Sequence, residues 1–230
     1  MKHIVVLTGA GMSAESGIAT FRDTGGLWEQ HRIEDVATPE GFHKNPQLVL
    51  DFYNARRKAA FDAKPNGGHI GLAEMEADYK VSVITQNVDD LHERAGSTRV
   101  LHLHGELSKV RSTVDPSLIY TLTPDNAEIH IGDKCEKGSQ LRPHIVWFGE
   151  AVPAIEEAVR IVQKADVLVV IGTSLNVYPA AGLLNYAPPA TPIYLIDPNE
   201  VKTTLYGVHF IRKGASEGVA ELRARLNKDI

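Results

Sequence analysis

Four short runs rich in apolar residues punctuate the chain, at 4–7, 81–85, 167–171 and 193–196. Each is too short to cross a bilayer and shows no regular polar alternation, so each reads as a strand buried on both faces. Helical patterns lie between them, and this alternation predicts an α/β fold with a doubly wound parallel sheet. After Asn45-Pro46, a cap followed by proline in the first turn, a helix is expected through QLVLDFYNARRKAAF. Leu48, Phe52, Ala55 and Ala59 form its expected apolar stripe. Tyr53 and Arg56 lie together beside that stripe, while Arg57 and Lys58 read as solvated. Further helices are expected at 70–77 and 154–164. A last one starts near Ser216 as N-cap, with Val219, Leu222 and Leu226 on its buried side.

Three of the four strands run directly into polar turns: Thr8-Gly9, Gln86-Asn87 and Gly172-Thr173. In open α/β sheets ligands sit beyond the carboxyl ends of the strands, so these turns are expected to share one crevice. Gly9, Gly11 and Ala14 fit G-x-G-x-x-A, in which glycines let backbone N–H groups approach an anion at a helix N-terminus. That pattern fits a plain strand–turn–helix equally well. Arg22 reads either as a phosphate clamp or as a surface ion pair. Gln86, Asn87, Asp89 and His92 cluster after the second strand. His102 and His104 lie two apart along 100–106, an expected strand, and His104 is the better placed to titrate in a cleft. Tyr53 and Arg56 are surface decoration, or a phenol and guanidinium that bind a carboxylate. Asp197 ends the last strand, where it can accept from ribose hydroxyls, and Gly214-Ala215 can approach an adenine.

Composition narrows the class. With 230 residues and 43% apolar content, one large domain, or one with a small module, can bury a sizeable core. A net charge of −5 disfavours binding nucleic acid through general attraction to phosphate. Cys135 is the one cysteine, so an intramolecular disulfide is excluded. The first apolar run is cut short at Gly9, which reads as a strand and not a signal peptide, and no run has the length of a membrane helix. A cytoplasmic protein, without nucleic-acid or membrane partners, is expected. The oligomeric state is open, with a monomer the default.

GAGMSAESGIATFR, TQNVDDLHERAG, HGE, RPHIVWFGE, GTSLNVYPAA and the closing GAS together resemble the sirtuins, the NAD-dependent protein lysine deacylases. The motifs fall in the family's order and run from residue 4 to about 216. The resemblance implies a Rossmann-like domain from 1–32, 68–107 and 142–230. It also implies a small domain built from insertions at 33–67 and 108–141. Around NAD it implies Gly9, Ala10, Gly11, Ser13, Ala14, Glu15, Phe21, Arg22 and Trp28. Gln86, Asn87, Val88 and Asp89 would lie on the nicotinamide side, with Asp89 taking the carboxamide. Gly172, Thr173, Ser174, Asp197, Pro198, Asn199 and Ala215 would lie on the adenosine side. Asp197 stands where the family usually has Asn. Val146, Phe148 and Gly149, facing Val177 and Tyr178, would receive an acylated protein segment as an added strand.

The implied chemistry is attack of the acyl oxygen on the nicotinamide-bearing ribose carbon. His104 then acts as general base on a ribose hydroxyl, and Asn87 shapes the pocket. Free lysine, nicotinamide and O-acyl-ADP-ribose result. Tyr53 and Arg56 match the Y-x-x-R signature of the branch that removes succinyl and malonyl groups as well as acetyl. The alternatives are a protein mono-ADP-ribosyltransferase and a non-catalytic NAD-sensing module. The family's structural zinc, held by two C-x-x-C pairs, is not expected: Ser112 stands at the first position, and Cys135 is followed by Gly138 in place of its mate. The insertion would instead be held by packing, with short strands near 118–122 and 129–131.

Overall fold

The four apolar runs are all strands of one six-stranded parallel sheet in a computed structural model that describes residues 1–20, 31–201, 203 and 207–227. Its strands are β1 (His3–Thr8), β2 (Lys80–Thr85), β3 (Val100–His102), β7 (Val167–Ile171), β8 (Ile193–Ile196) and β9 (Val208–Ile211). Their order is β3-β2-β1-β7-β8-β9. The order reverses between β1 and β7, which makes their carboxyl ends the topological switch point of a doubly wound sheet. Successive residues of β1 face opposite layers. Ile4 and Val6 pack with Val219 and Leu222 of helix α8 (Ala215–Leu226). Val5 and Leu7 pack with Ala158 and Val162 of α7 (Ile155–Val162). Both faces are covered, which is why these strands carry unbroken apolar runs.

A second sheet, antiparallel and three-stranded, has the order β5-β4-β6. It comprises β4 (Gly105–Ser112), β5 (Ile119–Thr121) and β6 (Leu141–Ile145). β6 pairs with β4 and does not join the large sheet, so the boundary expected at 142 falls inside this small sheet. The expected single strand over 100–106 is broken. β3 ends at His102, and Gly105, at φ +85°, turns the chain out of the large sheet into the small one. A Cβ there would lie 2.0 Å from the His144 carbonyl oxygen. Residues 129–131 form no strand: Ile129 is instead buried with Leu50 and Val110, and Ile131 is exposed.

Helix α4 (Pro46–Asp62) carries two corrections. Asn45 caps it as expected, accepting from the Leu48 N–H at 3.1 Å. The buried side, however, is Val49, Leu50, Phe52, Tyr53, Asn54, Arg57 and Ala60, while Leu48, Ala55 and Ala59 are exposed. The helix is clasped from two directions, so apolar spacing alone picks the wrong stripe. Arg57 is completely buried, not solvated. Its guanidinium donates to the carbonyls of Leu107 at 2.5 Å and Ala127 at 2.7 Å and to the Asn54 Oδ1 at 2.8 Å. Asn54 in turn donates to the Ile129 carbonyl at 2.9 Å and accepts the Ile129 N–H at 3.1 Å. Two polar side chains, three apart, thus fasten the second insertion to the first.

The first positions of the two C-x-x-C pairs, Ser112 and Cys135, are in polar contact. The Cys135 thiol donates to the Ser112 hydroxyl at 3.3 Å, and that hydroxyl accepts the N–H groups of Val114 and Asp115 at 3.2 Å each. Lys137 pairs with Asp115 at 2.6 Å. Ser216 lies within the first turn of α8 and does not cap it; Gly214 holds the N-cap position.

Asn54→Ala removes three buried hydrogen bonds and strands both polar groups of Ile129. The expected loss is about 2–4 kcal/mol of unfolding free energy in urea titration. An unchanged midpoint would show that the insertion does not depend on this contact.

Candidate functional site

The cleft lies where β1, β2 and β7 end. The turn after β1 enters the one-turn helix α1 (Gly11–Ala14) and packs against the end of β7. Gly9 N–H donates to Ile171 O at 3.0 Å, and Gly11 N–H donates to Gly172 O at 2.9 Å. Gly172 adopts φ +61°, and a Cβ on it would lie 2.4 Å from the Met12 nitrogen. A Cβ on Gly9 would lie 2.7 Å from Gly172 O. The glycines therefore close the two turns onto each other and leave backbone, not side chains, as the floor of a cleft of about 770 Å³.

Most of the residues expected to act together do line this one cleft. They are Gly9, Ala10, Gly11, Ala14, Glu15, Gln86, Asn87, Val88, His104, Gly172, Thr173, Ser174, Asp197, Pro198 and Asn199, and also Tyr53, Arg56, Val146, Phe148, Gly149, Val177 and Tyr178. Ser13 and Asp89 stand behind the wall, and Ala215 faces the core while Gly214 takes the lining position. Phe21, Arg22 and Trp28 lie outside the described residues. The wall also includes Trp147, Glu150 and Asn176, which sequence reasoning passed over.

His104 stands at the seam where the chain leaves the large sheet. Its Nδ1 is 3.1 Å from the Gln86 carbonyl, which assigns the ring proton to Nδ1 and leaves Nε2 as the acceptor. Burial lowers its pKa below 6.5, and the Gln86 hydrogen bond only partly opposes this. The neutral ring at pH 7 is the basic form. Gln86 donates to the Thr173 hydroxyl at 3.2 Å, joining the ends of β2 and β7.

Behind the wall runs a buried polar network. Asn87 Nδ2 donates to Gly9 O at 3.0 Å and to the Ser13 hydroxyl at 3.1 Å. Ser13 donates to Asp89 at 3.0 Å and lies 3.5 Å from His69 Nε2. Burial raises the Asp89 pKa, against the Leu91 N–H and the Ser13 hydroxyl. His69 Nδ1 accepts the Asn66 N–H at 3.2 Å, so its proton is on Nε2. The His69 and His92 rings meet edge to face at 4.8 Å, and His92 Nε2 contacts the Thr8 hydroxyl at 3.1 Å. His92 is thus a structural residue beneath the turns and not part of the wall. His102 is likewise absent from the wall, its Nε2 lying 2.7 Å from Glu93.

At the other end stand Tyr53 and Arg56. Tyr53 is buried, and its hydroxyl accepts the Trp147 indole N–H at 3.1 Å. The Arg56 guanidinium lies 5.6 Å from the Tyr53 ring centroid and 5.4 Å from that of Phe52. Burial lowers the Arg56 pKa, while Tyr53 and Asp89 oppose it. Among the described residues, no three His, Cys, Asp or Glu side chains converge as a metal site.

A model of the Sir2 family matches residues 9–179. An NAD-dependent protein deacylase of Bacteroides thetaiotaomicron is 62% identical over 230 residues, covering 98% of both chains. A crystal structure of a Sir2 homologue–NAD complex superposes with a TM-score of 0.88 at 43% identity, over 99% of this chain and 90% of the other. A Sir2–p53 peptide–NAD+ structure superposes with a TM-score of 0.82 at 30% identity, over 97% and 93%.

The buried histidines set an acid limit. Burial depresses His69 to about 4 and His92 well below 6.5, where the nearby His69 and His102 add to the shift. An unfolded histidine titrates near 6.5, so between pH 6.5 and 4 the unfolded chain takes up protons that the fold refuses. Stability is present at neutral pH and lost as the pH falls through that window, about 3 kcal/mol from His69 alone. His102 works oppositely: burial pulls it down, but Glu93 more than offsets this and raises it. Urea midpoints are expected to fall between pH 7 and 4.5, and less steeply in His69→Gln. Equal slopes in the two proteins would overturn the assignment.

Proposed function

The chain belongs to the Sir2 family, and on that premise we propose that its cleft removes acidic acyl groups, succinyl and malonyl, besides acetyl from lysine side chains of proteins. At the coarser level it is an NAD-dependent protein deacylase. One observation carries the finer reading: a single cleft holds a glycine floor at one end, an accepting imidazole in its wall, and a Tyr/Arg pair as well.

The residues fit a dinucleotide. The Gly9–Gly172 approach leaves backbone where a Cβ would obstruct it, and Asp197 ends β8 on the wall, where a ribose hydroxyl can donate to it. Gly9, Ala10 and Gly11 would hold the phosphates, and Gln86 and Asn87 the nicotinamide side. When bound, NAD supplies the ribose carbon that gives up nicotinamide and accepts the acyl oxygen. His104 Nε2 takes a proton from a hydroxyl brought against it, and Gln86 O shares the positive charge through Nδ1–H. The walls keep loose water away from that carbon. Arg56 and Tyr53 meet the far end of the acyl chain, a fork of donors and a phenol matched to a carboxylate.

For the insertion we infer that no zinc is held. At the C-x-x-C spacing, Ser112 would be followed by Asp115 and Cys135 by Gly138, which supply one thiol, one carboxylate and a hydroxyl already bonded to that thiol. This is not a closed tetrahedral set. Metal analysis of the purified protein is expected to find zinc far below one per chain; stoichiometric zinc would overturn this inference.

Arg56→Met tests the acyl reading. Loss of a charge-assisted pair is expected to lower kcat/KM on a succinyl-lysine peptide about ten- to a hundredfold, with a much smaller effect on the acetyl-lysine peptide. Equal loss on both peptides, or none, overturns it.

A further inference from the structure

Trp147 sits in the strand-like segment whose neighbours, Val146 and Phe148, lie on the cleft wall. Trp147 lines the cleft as well, but its indole is packed into the cluster formed by Phe42, Phe52 and Tyr53 and is only 2% exposed. Its position is fixed on three sides. Phe42 lies 5.3 Å from it, centroid to centroid. The Arg142 guanidinium covers its face at 3.5 Å. Arg142 forks onto Glu150 at 2.7 and 3.0 Å, and Glu150 also accepts the Trp147 backbone N–H at 2.8 Å. Backbone, carboxylate, guanidinium and indole therefore close a ring. Arg111, 3.6 Å from the same carboxylate, reinforces it.

The held indole has one polar atom, and it donates to the Tyr53 hydroxyl at 3.1 Å. A phenol oxygen that accepts on one side has its own proton left for the other. We propose that Trp147 is a positioning residue for acyl-chain specificity: by donating to the Tyr53 oxygen it fixes the phenol so that its O–H points to the acyl carboxylate beside Arg56. The proposal rests on the acidic-acyl reading of the cleft. A hydrogen bond made through another group is worth about 1 kcal/mol, so its loss is expected to cost about fivefold.

Trp147→Phe keeps an aromatic face for Arg142 and removes the indole donor. Its expected effect is a KM rise on the succinyl-lysine peptide about fivefold greater than on the acetyl-lysine peptide, with kcat on the two changing in parallel. Tyr53→Phe removes the hydroxyl through which Trp147 acts. In the double variant, the Trp147→Phe change is expected to add nothing further to the succinyl-to-acetyl ratio. Additive effects, or equal losses on both peptides, mean that the indole only packs, and they overturn the proposal. A second readout needs no turnover: the Trp147 indole N–H resonance, assigned by its absence from Trp147→Phe, is expected to move upfield in Tyr53→Phe. A resonance that stays in place also overturns it. Arg56→Met, run alongside, separates the two failures. A selective loss there with none in Trp147→Phe defeats only the role of Trp147; no selective loss there defeats the acidic-acyl reading and this proposal together.

Discussion

The cleft depends on how closely the turn after β1 approaches the turn after β7. Gly9, Gly11 and Gly172 touch backbone to backbone, and any of the three, given a Cβ, would meet main-chain atoms at 2.7 Å or less. The contact lies at the switch point of the sheet, where the helices following β1 and β7 leave on opposite faces and the strand ends are uncovered. Asn87 is tied to Gly9 O, and Gln86 reaches across to Thr173. The end of β2 is thereby referenced to the same floor. Gln86 O then fixes His104. Orientation of the imidazole is thus inherited through a chain of short contacts that starts at three glycines.

Helix α4 has two tasks, separated by one residue of register. Tyr53 and Arg56 turn to the cleft, while Asn54 and Arg57 turn to the insertion and satisfy the backbone of 107, 127 and 129. A closed metal site would order such an insertion by itself. Independently of any metal, a buried guanidinium and a buried amide on α4, a helix that also lines the cleft, hold the insertion's backbone. Anchoring of the insertion and shape of the cleft are consequently coupled. A shift of α4 that relaxed Arg57 would move Tyr53 away from Trp147.

Much of this was legible in the chain. Strands buried on both faces betray themselves as apolar runs, so β1, β2, β7 and β8 are legible. β3, which ends at His102, is legible only as part of a longer expected strand, and β9, a sheet-edge strand with exposed His209 and Phe210, is not. The turns were legible because glycine and polar residues follow each strand at once. Arg57 was misread because a buried arginine has the same local signature as an exposed one; only the carbonyls of distant residues identify it. Trp147 was passed over for a related reason. Its side chain is almost wholly buried, and its partner is 94 positions away in the chain. Ser13 and Asp89 were recognised as important, but they lie one layer behind the cleft, a depth that sequence spacing does not encode.

On the proposed reading, the charge buried beside Tyr53 bears on which acyl groups the cleft takes. Burial works against the Arg56 guanidinium, and the Asp89 carboxylate and the Tyr53 phenol oppose that penalty without cancelling it. Nor is Asp89 free to do more, since its own burial raises its pKa and its oxygens already accept from Ser13 and Leu91. On that reading, an incoming carboxylate adds a charge-assisted partner to a guanidinium that burial works against. An acetyl group would bring no charge and would rely on the apolar wall. On the proposed reading, the discrimination belongs to the charge that the protein buries, and the same wall can serve both acyl classes with different affinities.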